Sequence, residues 1–447
     1  MLGVAAFVLF GVVSCLGNLL GSDSPNSGPG SGSDPSTPTP DMEVAWLSSA
    51  HDLDPGLLAD AEMRLGVDGS FTGVNFVPGQ DVWIVVLSPS AGKSEQVVGV
   101  DPTDGHARWN RELPGVLCGD KVLDGALVCL SGEAGSWTGH VIDVATGEDL
   151  TTWPTTLDSA LSVHLTPEGL VVVGEAAPAP HARLTLLALD GTVRWSLDVV
   201  ELQNAELLFG TFLADDFSGQ NDPEATMERL RWRDLDEGRV LLWSTPGVAL
   251  IDPTTGDVVV HECRRATPVG DAYFCGTDAG IERHDLTGAV AWTTPGLDLA
   301  FPPDTSNGRP AALSADHQLY AVDWRTGVQG QNLHRFRPTA NSFTGTVLAP
   351  GAAGDGDHLF VVGDDAVVAL APGSDEVAWT YVLDEYANAV AVVGDMAVLD
   401  SWPAIGLDLA TGEELWRRRI GPGIYQVAVD DSLVSIGFDG IGLLVLP

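Results

Sequence analysis

The sequence predicts an all-β protein, a β-propeller of four-stranded antiparallel blades, and three observations carry that prediction. A two-strand unit with an Asp-x-x-Thr-Gly turn and a closing Trp returns along the chain. Gly (52) and Pro (28) are abundant while hydrophobic residues make up 45%, a balance suited to many short strands separated by tight turns. The C-terminal stretch supplies three strands but no Trp strand, and a matching isolated strand sits near the N-terminus. A length of 447 residues is compatible with one such body, because each added blade extends the same core.

The clearest unit is AIGLDLATGEELW at 404–416; the same plan returns at 97–109, 140–153, 186–195, 248–260, 280–292, 319–331 and 367–379. Gly147, Gly256, Gly288, Gly327 and Gly412 stand where a tight hairpin turn needs positive φ, and the Asp ahead of each turn can accept from backbone amides. Trp46, Trp109, Trp153, Trp195, Trp292, Trp379 and Trp416 each combine a large apolar body with one N–H that needs an acceptor. They are expected to dock neighbouring blades rather than to touch a ligand.

With a strand of the form A-[LIV]-D-x-x-T-G-x-x-x-W repeated at blade length over 42–447, the chain resembles the pyrroloquinoline-quinone (PQQ) repeat family of β-propellers. The resemblance implies a propeller, commonly of eight blades, and its nearer branch is the non-catalytic exported one that includes the outer-membrane assembly lipoprotein. Eight blades are therefore expected, although eight internal units and one split unit allow nine. Val260 and Gln331 replace Trp and Ala371 replaces the turn Asp, so those blades are expected to dock less tightly. Residues 43–48 (EVAWLS) read like the outer strand in 375–381 (DEVAWTY), and pairing with 425–447 is expected to close the ring with strands from both ends.

Residues 1–20 are nearly continuously apolar and long enough to cross a hydrocarbon core as a helix, with no Lys or Arg ahead of the run. VVSC at 12–15 resembles a lipoprotein processing box, which makes Cys15 a lipidation candidate. Leu16, Leu19 and Leu20 prolong the apolar run past it, which favours a transmembrane helix over a lipid anchor. Residues 21–41, rich in Ser, Gly, Pro and Asp, read as a solvated tether. The body is thus expected on the extracytoplasmic side of a cell membrane.

Acidic residues (62) outnumber basic ones (21), giving a formal charge of −41. Such a surface repels phosphate backbones, which excludes nucleic acid as a partner and favours solubility. Of the five Cys, Cys15 aside, Cys118 with Cys129 and Cys263 with Cys275 fall in two close pairs. In each, the first is expected on the innermost strand of a blade and the second on its antiparallel neighbour, where a disulfide fits an exported domain. The spacing does not suit a four-thiolate metal site.

Catalytic signals are few. The quinoprotein dehydrogenases of the resembled family use an adjacent Cys-Cys disulfide and a calcium beside the quinone, and no adjacent Cys pair exists here. SPSAGKS at 88–94 imitates a phosphate loop, but Leu87 takes the place of its first Gly. The ten His are scattered without a metal-binding spacing. Residues 202–238 break the strand rhythm as an insertion, with helix-start signals at Asp222, Pro223 and Glu224. Asp215, Asp216 and Asp222 make a weak calcium candidate there, although their spacing is not that of an EF-hand and a solvated loop is preferred.

The expected function is therefore a non-enzymatic, membrane-anchored scaffold or sensor for a protein or envelope ligand. It is expected to be monomeric and to need no cofactor. The alternative is a quinoprotein-type oxidoreductase using PQQ and calcium.

Overall fold

In the computed structural model the described residues run from 42 to 446, apart from 55–61, 64–75, 210–229, 301–309, 338–350 and loop stretches of five residues or fewer. The body is one compact unit, Pro40–Pro447, and the N-terminal unit, Met1–Thr39, lies outside the described residues. Residues 1–20, expected as an anchor, Cys15 within them and the expected tether at 21–41 therefore lie outside them too.

Strands form nine antiparallel sheets, which we number as blades 1 to 9 in chain order. Blades 1 to 8 end on the strands Ala107–Glu112, Asp149–Pro154, Val193–Asp198, Val258–Glu262, Val290–Thr294, Val328–Arg335, Val377–Val382 and Glu414–Arg418. Blade 9 joins Tyr425–Val429, Ser432–Gly437 and Gly440–Val445 to the N-terminal strand Glu43–Ser49, which pairs with Gly440–Val445 from Glu43 opposite Val445 to Ser49 opposite Gly440. Blade 1 is the exception to four strands: two short ones, Glu62–Met63 and Phe76–Val77, both pair with Trp83–Ser88.

The expectation of eight blades is thus corrected to nine. All eight internal units complete a blade, including those that lack the consensus Trp or Asp, because the apolar runs of their middle strands specify pairing independently of the docking residue. In blade 1, for instance, Trp83, Val85 and Leu87 face the core shared with blade 9, while Ile84 and Val86 face the core shared with blade 2. Successive side chains of a strand point to opposite faces, so a strand sandwiched between two blades must be apolar at every position. Each such side chain contributes roughly 1.5–3 kcal/mol when fully buried.

Nine clusters of buried side chains sit one at each junction, and the last returns to the first. Blade 9 packs on blade 8 through Leu433 and Leu444 against Val398 and Trp416, and on blade 1 through Val434, Ile436 and Ile441 against Val85 and Val98. First strands of successive blades touch one another, as Leu117–Cys118 does Ser159–Thr166 and Arg265–Val269 does Leu297–Leu299, which puts them on the axial side. Last strands form the exposed rim, and Leu150, Val328 and Val382 there are 61%, 65% and 71% exposed.

Candidate functional site: blade seams and channel wall

Four of the seven predicted Trp residues donate to a backbone carbonyl in the turn of the following blade. The indole N–H of Trp109 donates to Val144 O at 2.8 Å, that of Trp195 to Pro253 O at 2.7 Å, that of Trp379 to Leu409 O at 2.9 Å and that of Trp46 to Pro102 O at 3.0 Å. The turn glycine, Gly147 for Trp109 and Gly412 for Trp379, then lies against the ring. Trp292 covers Gly327 without a backbone acceptor for its N–H. Trp153 likewise lies against Gly191, and Trp416 is buried in the seam with blade 9.

Beside the indole sits a second clasp, which sequence reasoning missed. The residue two places after the Trp donates to the carbonyl of that same turn glycine: Ser48 Oγ to Gly105 at 2.7 Å, Arg111 Nη1 to Gly147 at 3.1 Å and Thr294 Oγ1 to Gly327 at 2.5 Å. Arg111 also grips Asp149 in both prongs of its guanidinium, at 2.7 and 2.6 Å. At the seam of blades 7 and 8 the equivalent Tyr381 donates to Glu414, and Arg417 donates to the Tyr381 oxygen at 3.0 Å. Burial, then Glu414, pushes the Tyr381 hydroxyl up to about 12. A side-chain donor two residues after Trp46, Trp109, Trp292 and Trp379 was the available signal.

Where Val260 replaces Trp, the neighbouring His261 covers Gly288 and lies 4.9 Å from His284, which stacks on the fully buried Tyr273 ring at 4.9 Å and 12°. Trp243 fills the same seam. That blade boundary is therefore packed by other aromatics.

Cys118 bridges Cys129 and Cys263 bridges Cys275, each within one blade, with Cα atoms 4.0 and 5.1 Å apart. Cys118 lies on the first strand of blade 2, directly opposite Cys129. Cys263 departs from expectation: it precedes the first strand of blade 5, which starts at Arg265, and reaches Cys275 from the connecting segment. Of the expected insertion at 202–238, Arg231–Asp234 is the first strand of blade 4 and Glu206–Phe209 a short helix packed into the seam of blades 3 and 4. Asp215, Asp216 and Asp222, with the helix signals at Pro223 and Glu224, lie outside the described residues.

Two charged groups line the axial side. Arg265 contacts Asp298 at 3.0 Å and donates to Leu299 O at 2.7 Å, linking blades 5 and 6, with Arg264 held by Asp278 at 2.9 Å. The other is built on His164, one of the ten His read as scattered. Its ring lies between Asp120 of blade 2, at 2.9 Å, and Asp234 of blade 4, at 2.8 Å, while Lys121 pairs with Asp234 and Trp232 stacks on it at 5.5 Å. Burial opposes charge on His164, but the Asp120 and Asp234 carboxylates outweigh it and raise its pKa. Burial likewise opposes ionisation of Asp234, yet His164 and then Lys121 bring it down to about 2.

A ring of four-stranded blades, docked Trp-to-turn and cross-linked inside two blades, defines a propeller of PQQ-like repeats. The family model described as outer membrane protein assembly factor BamB matches residues 69–294 and 277–444. The chain belongs to that family. It is 29% identical over 164 residues to the outer membrane protein assembly factor BamB of Burkholderia pseudomallei, a match covering 34% of this chain and about two fifths (41%) of that protein. Among solved structures, BamB from Moraxella catarrhalis is 14% identical, with 89% of this chain and 99% of that one covered and a TM-score of 0.44. A europium-containing methanol dehydrogenase is 11% identical, with 89% and 85% covered and a TM-score of 0.45.

Among the described residues, none is arranged for the PQQ and calcium of the alternative reading. The four cysteines of the body are engaged in bridges within single blades and none is adjacent to another. Among the described residues, no group of three or more His, Cys, Asp or Glu is arranged to hold a metal ion. No helix among them is long and apolar enough to cross a membrane.

Proposed function

We propose that this chain is a protein-binding scaffold on the extracytoplasmic side of a membrane, a monomeric propeller tethered by residues 1–20, as helix or through Cys15. The observation that carries the reading is the match of residues 69–294 and 277–444 to a family described by an assembly factor. The two intrablade disulfides support an oxidising compartment, where such bridges persist. The rim supports contact with polypeptides: each blade ends in an exposed last strand whose outward edge offers backbone donors and acceptors. The shared ninth blade is the element we propose to hold the ring shut.

Proximity labelling from the full chain on intact cells tests the reading. The expected result is a reproducible set of envelope proteins that disappears when the propeller is replaced by an unrelated exported domain. A purified chain that binds PQQ with calcium and oxidises alcohols with an artificial dye would support the enzyme instead.

A further inference from the structure

We propose that His164 is a proton-operated latch on the axial side of the propeller, an imidazolium that ties the first strand of blade 3 to blades 2 and 4 and lets go when it loses its proton. The side chain has no exposed surface, and both its ring nitrogens face carboxylates: Nδ1 is 2.9 Å from Asp120 Oδ2 and Nε2 is 2.8 Å from Asp234 Oδ1. A neutral imidazole carries one N–H, so it can serve one of these carboxylates and must turn a lone pair on the other. Nε2 is hydrogen-bonded to Asp234, whereas Nδ1 meets Asp120 as a close ion pair without hydrogen-bond alignment. Only the cation turns a proton rather than a lone pair toward both carboxylates.

The charges around the ring balance in that state alone. Asp120 and Lys121 face it from blade 2 and Asp234 faces it from blade 4, while its own strand adds the Leu165 N–H, which donates to Asp120 at 3.3 Å, and Ser162, which accepts from the Trp232 indole at 2.7 Å. Two carboxylates oppose Lys121 and the imidazolium; removing the proton leaves one negative charge without a counterpart, on a chain whose formal charge is already −41. Trp232 covers the ring face at an interplanar angle of 7°, which keeps water from replacing the lost partner.

The flanking strands make the tie matter. The first strand of blade 2, Leu117–Cys118, has two residues, and that of blade 4, Arg231–Asp234, has four, so short ladders hold both axial edges. The apolar seams of blades 2 to 4 do not involve His164 and stay packed, which makes release local. The raised pKa fixes the direction: the tie is complete below the ordinary imidazole range and is lost as pH rises through the higher folded value.

Amide hydrogen exchange on the full chain, between about pH 6 and about pH 10 and corrected for the chemical rate, tests the latch. In the wild type, protection at 117–121, 159–166 and 231–234 is expected to fall about tenfold or more through one titration, with 387–418 in blade 8 unaffected. His164→Gln should abolish that titration. Asp234→Asn, which keeps the imidazole, should move it down by about one pH unit. Wild-type protection that does not depend on pH, or an unmoved titration in Asp234→Asn, would overturn the proposal.

Discussion

Trp109 and Gly147 define how one blade is fixed to the next: the Trp109 indole donates to Val144 at 2.8 Å, and a Cβ built on Gly147 would stand 2.5 Å from its ring. Gly147 also has φ +73°, so two independent costs attach to a side chain there. Gly147→Ala is expected to destabilise by about 3 kcal/mol. Gly125→Ala, at φ +77° with nothing within 4 Å, should cost only about 1 kcal/mol. Denaturant unfolding of the pair separates backbone strain from ring contact; equal losses would show that the docking contact carries no weight.

Trp46 makes the same contact from the N-terminal strand, through Pro102 at 3.0 Å. Deleting residues 43–48 should expose the edge of Gly440–Val445 and lower the cooperativity of unfolding, and Trp46→Ala alone should cost about 3 kcal/mol. Unchanged melting after the deletion would remove the shared blade as the closing element.

Each disulfide closes a short loop, of sequence separation 11 for Cys118–Cys129 and 12 for Cys263–Cys275. The chain-entropy model gives up to about 3 kcal/mol for such a loop. A non-reducing peptide map is expected to show these two links with no exchange between pairs, and Cys118→Ser with Cys129→Ser should lower stability by that order. Free thiols at all four positions in protein taken from an oxidising compartment would contradict both the pairing and the extracytoplasmic assignment.

Removing residues 1–21 should release a folded, soluble propeller from membranes, since the anchor is proposed to lie wholly in the apolar run. Retention would place attachment in the propeller. Cys15→Ala separates the two anchors: lost lipid labelling identifies a lipoprotein, and unchanged membrane attachment without labelling identifies a helix.

Much of the fold was legible because its signals are local. Each Asp-Thr-Gly turn and each Trp announces one hairpin, and the three-strand C-terminus pointed to EVAWLS as its missing fourth. The blade count was misjudged because family habit outweighed the literal tally, although the units with Val260, Gln331 and Ala371 build full sheets on their middle strands. The His164 cluster was not legible: Asp120, His164 and Asp234 lie on three different blades, and 70 positions separate His164 from Asp234. Only the ring brings them together. The clasp two residues after four of the Trp residues was visible in principle, but Ser48, Arg111, Thr294 and Tyr381 share a position rather than a residue type.

The central claim, a propeller that works by holding other proteins, is tested most directly by photo-crosslinking in cells. A photoreactive amino acid placed singly at Leu150, Val328 and Val382, on the exposed last strands of blades 2, 6 and 7, reports what lies against the rim. The account predicts discrete protein adducts whose identity changes with the blade carrying the probe, retained in the chain with Cys15→Ala if it stays at the membrane. An absence of protein adducts from all three positions, in a chain that is folded and correctly located, would contradict it.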